Sequence, residues 1–137
     1  MIIESRANER VKEARKLQNR KERKETGLHL IESEKLVREA VASGAKIVSC
    51  FIEDGFAIVP PEGAASYVVT RAVLESLCES QTPQGVAAVV QTPALTPPEA
   101  YPSGLVVVLD GVQDPGNVGT ILRSADAFGA AGILLSP

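Results

Sequence analysis

Residues 105–135 set two apolar runs, Leu105 to Leu109 and Ile133-Leu134-Leu135, on either side of a polar turn and an amphipathic stretch. That order commits the C-terminal part of the chain to a β-α-β unit with parallel strands. Leu105 to Leu109 is continuous, apolar and β-branched at its centre, as expected of a strand covered on both faces. Asp110-Gly111 and Asp114-Pro115-Gly116-Asn117 are turn chemistry, with Asp114 read as a turn residue and Asn117 as a candidate N-cap. Val118, Ile121, Leu122, Ala125 and Phe128 then recur at helical spacing, and Gly129 and Gly132 punctuate the helix end. At about 100° per residue, Arg123 falls roughly 140° from Val118, off the apolar stripe. Its side chain is free for solvent or for a site at the carboxyl end of the strand, where open α/β sheets place ligands.

Two familiar glycine-loop signatures do not fit. A phosphate-cradling loop needs lysine after its second glycine, and here Asn117 follows Gly116. A dinucleotide fingerprint needs Gly-x-Gly-x-x-Gly, which Gly116-Asn117-Val118-Gly119 does not supply.

The stretch Leu109-Asp110-Gly111-Val112-Gln113-Asp114-Pro115-Gly116-Asn117-Val118-Gly119-Thr120-Ile121-Leu122-Arg123-Ser124-Ala125-Asp126-Ala127-Phe128-Gly129 resembles motif 1 of the SpoU/TrmH-type RNA methyltransferases. These form the 2′-O-ribose branch of the SPOUT superfamily. The resemblance implies that Arg123 helps activate a ribose 2′-hydroxyl and that Asn117 helps build the catalytic site. It also implies S-adenosylmethionine as cofactor, held in a C-terminal trefoil knot, and a homodimeric enzyme. Guanidinium does not give up its proton in proteins, so Arg123 is not read as a literal general base. The preferred reading has it fork onto an RNA phosphate and the 2′-oxygen, stabilising developing alkoxide. The plainer alternative is a solvated helix arginine.

The net charge of −3 conceals an uneven distribution. Residues 1–46 hold 12 basic and 8 acidic groups, and residues 47–137 hold 2 basic and 9 acidic groups. Arg6 to Lys24 reads as one helix with a thin apolar stripe of Val11, Ala14 and Leu17. Its basic residues are Arg6, Arg10, Lys12, Arg15, Lys16, Arg20, Lys21, Arg23 and Lys24, against Glu9, Glu13 and Glu22. Such a run is either a solvated face laced with Glu–Lys pairs or a set of phosphate contacts that orient RNA. Ser5 to Lys12 and Lys16 to Arg23 are similar to the N-terminal substrate-binding domain of the same methyltransferases, which favours RNA.

That similarity continues through Thr26-Gly27-Leu28-His29-Leu30-Ile31-Glu32-Ser33, where the family pattern is usually Gly-x-Phe-x-(Val/Ile)-Glu-Gly. His29 replaces an aromatic residue and Ser33 a glycine. Ser33 is a plausible N-cap for a helix carrying Leu36, Val37, Ala40 and Val41 on one face and ended by Ser43-Gly44. His29, the single histidine, reads as a strand residue rather than a metal or catalytic group. Lys46 to Ile52 and Tyr67-Val68-Val69 read as strands, and Thr70 as the cap of a helix with core residues Val73, Leu74 and Leu77. Glu79 to Val90 again resembles the family, with the Thr82-Pro83-Gln84-Gly85 turn entering a closing strand; Gln84 and Gly85 read as a plain turn or as RNA contacts. Cys50 and Cys78 lack ligand spacing and read as reduced core residues.

The expected class is α/β. Residues 1–91 form an RNA substrate-binding domain like the kink-turn-binding ribosomal proteins, and residues 92–104 a stiff proline-rich linker. Residues 105–137 are the first β-α-β unit of a SPOUT domain without its knot. The expectation is a truncated chain, with the cofactor-binding residues beyond Pro137, that alone neither binds S-adenosylmethionine tightly nor methylates RNA. Without a membrane span or signal core, the expected location is the cytoplasm. Ribosomal RNA is expected over transfer RNA as the partner, and no metal is expected. An RNA-binding adaptor with a vestigial catalytic segment is the alternative.

Overall fold

A computed structural model describes residues 1–80, 82–94, 99–100 and 103–136. The linker expected to be stiff falls largely on residues 95–98 and 101–102, outside the described residues. The chain divides into two compact units, Met1–Ala94 and Leu95–Pro137.

In the first unit the elements run β1 (Ile2–Ile3), α1 (Glu9–Lys16), α2 (Arg20–Thr26), β2 (Leu28–Glu32), α3 (Glu34–Ala42), β3 (Ile47–Glu53), β4 (Ala65–Val69), α4 (Arg71–Leu77) and β5 (Val86–Gln91). The sheet order is β1-β4-β3-β5-β2. β4 is parallel to both β1 and β3, whereas β5 is antiparallel to β3 and β2. Interior β5 reads Val-Ala-Ala-Val-Val and is buried from Val86 to Val90, as a strand covered on both faces must be. On one face Val11, Ala14 and Leu17 join Val73, Leu74 and Leu77 of α4 over Phe51, Val69, Ala87 and Val89. On the other, Val37 packs with Ile47, Cys50, Ile52, Val86, Ala88 and Val90.

The single helix expected over Arg6–Lys24 is two helices. α1 stops at Leu17, and Asn19 starts α2 by accepting the backbone N–H of Lys21. Arg23 closes the corner, its Nη1 donating to the carbonyl oxygens of Leu17 and Gln18. Those carbonyls lie at a helix end without intrahelical partners, so the cation satisfies them there. α3 is also narrower than its sequence suggests: Val37 is buried, while Leu36 and Val41 are exposed. Ser33 does cap it, at φ +87°. That backbone favours glycine, the residue usual in the family pattern at this position.

The second unit is β6 (Val106–Leu109), α5 (Pro115–Ala127) and β7 (Gly132–Leu135), with β6 and β7 parallel. β6 is not covered on both faces. Leu109 is buried and Val107 half-buried, but Val108 is 63 % exposed and flanking Leu105 62 % exposed. Among the described residues β6 pairs with β7 alone. Ala125 is the buried residue of α5, and Val118, Ile121 and Leu122 are half-buried. Phe128, expected in that stripe, is 85 % exposed because it follows the last helical turn as the C-cap. No helix among the described residues is long and apolar enough to cross a membrane.

Candidate functional site

The carboxyl end of β6 feeds a turn that returns the chain into α5. Gly111 takes φ +65°, a left-handed conformation suited to glycine, and its N–H donates to Ser136 Oγ at 2.8 Å. The Ser136 N–H donates to the Leu109 carbonyl at 2.9 Å, so the residue after β7 pins the turn after β6. Asp114, not Asn117, is the N-cap: its Oδ1 accepts the Asn117 N–H at 2.7 Å, with Pro115 opening the helix. Proline suits that first position because its missing donor is one the helix cannot use. Asn117 therefore lies inside the first turn, and its exposed side-chain amide has no hydrogen-bond partner among the described residues.

Arg123 lies two turns further on and is exposed. Its Nη2 donates to Thr120 Oγ1 at 3.3 Å, and no carboxylate pairs with it among the described residues. Helical side chains lean toward the N-terminus, which brings the guanidinium back toward the turn that carries Asn117. The arrangement presents donors, an amide and a fork of guanidinium N–H groups, beside a helix start capped by the Asp114 carboxylate. Such a set attracts oxygen atoms that carry or develop negative charge.

The nine basic residues between Arg6 and Lys24 separate into distinct environments. Arg6 Nε donates to the Ala72 carbonyl at 3.1 Å, Arg10 lies 5.0 Å from the Tyr67 ring centroid, and Arg23 holds the helix corner. Lys12, Lys16 and Lys21 pair with Glu9, Glu13 and Glu25 at 3.5, 2.6 and 3.8 Å. The hydrogen bond and charge of Glu13 raise the Lys16 pKa. Exposed pairs of this kind are worth little and rearrange readily. Arg15, Arg20 and Lys24 have no ion-pair partner among the described residues. Beside α1 runs an apolar groove of about 370 Å³ lined by Leu28, Phe51, Tyr67 and Val89, with charges of both signs at Glu9, Glu13, Glu22, Arg10 and Lys16.

Glu32 was not anticipated as a functional group. Its carboxylate accepts the backbone N–H groups of Glu79 and Ser80 and the Ser80 hydroxyl, fixing the approach to the Thr82–Gly85 turn. An acid ending the strand Leu28–Glu32 was the available signal. Ser136 and Thr120 offered none, since hydroxyls are common in turns and helices. His29 Nδ1 lies 2.9 Å from Thr92 Oγ1, and burial, reinforced by the charge of Arg23, lowers its pKa. Burial pushes the Cys50 thiol up to about 11, and burial with the charge of Glu32 pushes Cys78 up to about 12. Among the described residues no three His, Cys, Asp or Glu side chains converge as metal ligands.

Comparison with known proteins gives this geometry a family. Residues 8–88 match the MRM3-like substrate binding domain, and residues 104–137 match the SpoU rRNA Methylase family. The chain belongs to the SpoU/TrmH methyltransferase family, with a substrate-binding unit of the MRM3-like kind. Among its relatives is the 23S rRNA (guanosine(2553)-2′-O)-methyltransferase RlmP of Bacillus subtilis (strain 168). It is 37 % identical over 136 residues, covering 97 % of this chain and 53 % of that protein. A crystal structure of an RNA 2′-O ribose methyltransferase matches with TM-score 0.82 and 34 % identity, covering 100 % of this chain and 56 % of that one. The AdoMet-bound rRNA methyltransferase of Sinorhizobium meliloti matches with TM-score 0.82 and 31 % identity, covering 98 % and 54 %. The chain thus spans about half the length of the relatives it matches.

Proposed function

We propose that the complete enzyme methylates a ribose 2′-hydroxyl of ribosomal RNA, with the first unit holding the RNA and the turn before α5 supplying part of the catalytic site. The domain limits proposed are 1–91 for RNA binding, 92–104 for the linker and 105–137 for the catalytic segment. The observation that carries this reading is Arg123, an exposed guanidinium unpaired with any described carboxylate, on the helix that begins at the strand tips. Arg123 binds an RNA phosphate and the 2′-oxygen, favouring the oxygen as it gains negative charge. Asn117 orients the same ribose through its free amide. S-adenosylmethionine, named in the S. meliloti relative, supplies an electrophilic methyl group when bound. Tight binding of it is assigned to the complete enzyme, proposed to be a cytoplasmic homodimer.

On the RNA-binding side, Arg15, Arg20 and Lys24 make the primary phosphate contacts. Lys12, Lys16 and Lys21 join by exchanging a glutamate for a phosphate, while Arg6, Arg10 and Arg23 chiefly hold the surface in shape. The test is methyl transfer to ribosomal RNA by the full-length enzyme carrying Arg123→Lys or Arg123→Ala. Both are expected to lose most activity, since lysine lacks the fork. Undiminished transfer by Arg123→Ala overturns the catalytic assignment. Undiminished transfer by Arg123→Lys overturns the bidentate contact.

A further inference from the structure

We infer that Thr120, with the open space at Gly119, is the positioning residue that aims the Arg123 guanidinium at the reacting ribose. This rests on the reading of Arg123 given above. An exposed arginine on a helix has several staggered side-chain paths, and losing that freedom is costly unless something selects one. Here two features do. The Thr120 hydroxyl donates to the Gly116 carbonyl at 2.9 Å. Its proton is thereby committed, and the oxygen faces Arg123 as an acceptor, 3.3 Å from Nη2. Threonine is stiff at χ1, and the bond to the preceding turn holds it further.

Gly119 supplies the second feature. A β-carbon there would sit 3.5 Å from Arg123 Nη1, so the guanidinium lies along the helix surface where a larger side chain would project. Thr120 occupies one donor of the five, leaving the remaining N–H groups for phosphate and ribose oxygen. The chain Gly116 carbonyl, Thr120 hydroxyl, Arg123 guanidinium therefore transmits the geometry of the first helical turn to the cation.

In the full-length enzyme, Thr120→Val keeps the β-branched shape and removes the acceptor. The expected result is a kcat lower by about tenfold with the KM for RNA nearly unchanged, the signature of a misaimed rather than a missing contact. Thr120→Ser restores most of kcat. In an Arg123→Lys background, Thr120→Val has little additional effect, because the group it positions is gone. Three results overturn the inference: an unchanged kcat in Thr120→Val, an equal loss in both backgrounds, or failure of serine to rescue. Activity retained by Arg123→Ala removes the underlying reading instead, and is distinguishable because it appears without any change at Thr120. Should Thr120→Val weaken α5, nitrogen relaxation of the Arg123 Nε–H in this chain decides the point. Thr120→Val and Gly119→Val should each increase its mobility, and an unaltered Nε–H in both overturns the inference.

Discussion

Arg23 reaches back over the corner between α1 and α2 and donates through Nη1 to the Leu17 carbonyl at 2.8 Å. The same atom serves Gln18, so a residue that reads as part of a basic RNA surface holds two helices together. Removing a charged donor leaves helix-end carbonyls unpaired, and Arg23→Ala should destabilise the first unit by about 1–2 kcal/mol in chemical denaturation. Arg20→Ala, at a neighbouring exposed position, should leave the midpoint unchanged. Equal midpoints for the two variants contradict the structural role.

The salt dependence of RNA binding separates free cations from engaged ones. Each of Arg15→Ala, Arg20→Ala and Lys24→Ala should reduce the slope of log affinity against log salt by about one, uniformly across RNA sequences. Lys12→Ala should do less, since Lys12 already rests on Glu9. Filter binding over a salt series measures this; slopes equal to wild type in all three variants remove α1 and α2 from the RNA surface.

Ser33 does two opposed things. It caps α3 through the Leu36 N–H, and it occupies φ +87°. Strain in that region costs about 1–3 kcal/mol, whereas exchanging a serine cap for glycine costs a few tenths. Ser33→Gly should therefore raise the melting temperature. Ser33→Ala, which loses the cap and keeps the strain, should lower it by the equivalent of about 1 kcal/mol. The order Gly above Ser above Ala is the observable, and any other order contradicts the geometry.

Much of this was legible in the sequence. The β-α-β order of the second unit followed from apolar runs on either side of turn residues, and the core positions Val73, Leu74 and Leu77 from helical spacing. The break after Lys16 was not legible, because it depends on a side chain six residues beyond Leu17 folding back in space. The helix start at Asp114 could have been read: Asp114 and Asn117 are both good caps, and Pro115 decides between them by its preference for the first helical position. The two-residue β1 is too short to leave a pattern. The exposed face of β6 departs from the burial its apolar run suggests, because such a run reports the capacity to be buried, not the number of neighbours present to bury it.

The thiols set an alkaline limit. Cys50 and Cys78 are held at about 11 and about 12 from an ordinary 9.0, chiefly by burial. The unfolded chain releases these protons first, so the contribution is complete below pH 9 and is lost as pH rises toward 11–12. Stability of the native chain should fall across that window, and Cys50→Ala should flatten the slope relative to wild type whatever its midpoint. An identical slope in the variant assigns the loss to other groups.

Gly85 enters β5 at φ +72°, and any β-carbon there would collide with the Phe56 ring. Gly85→Ala combines backbone strain with overpacking and should cost about 3 kcal/mol or more. Gly63→Ala is the control: it shares a positive φ, but nothing lies within 4 Å of the added carbon. Denaturation midpoints that match for the two variants contradict the contact.

The order of the first sheet also bears on how the chain is made. β2 is an outer strand joined to the rest through β5, with Leu28 opposite Gln91 and Glu32 opposite Ala87. During synthesis, residues 28–32 emerge early and wait without a strand partner until the last strand of the unit follows them out. Closure of this edge is thus late, and a nascent chain halted before Val86 leaves the backbone donors and acceptors of Leu28–Glu32 without the strand they pair with.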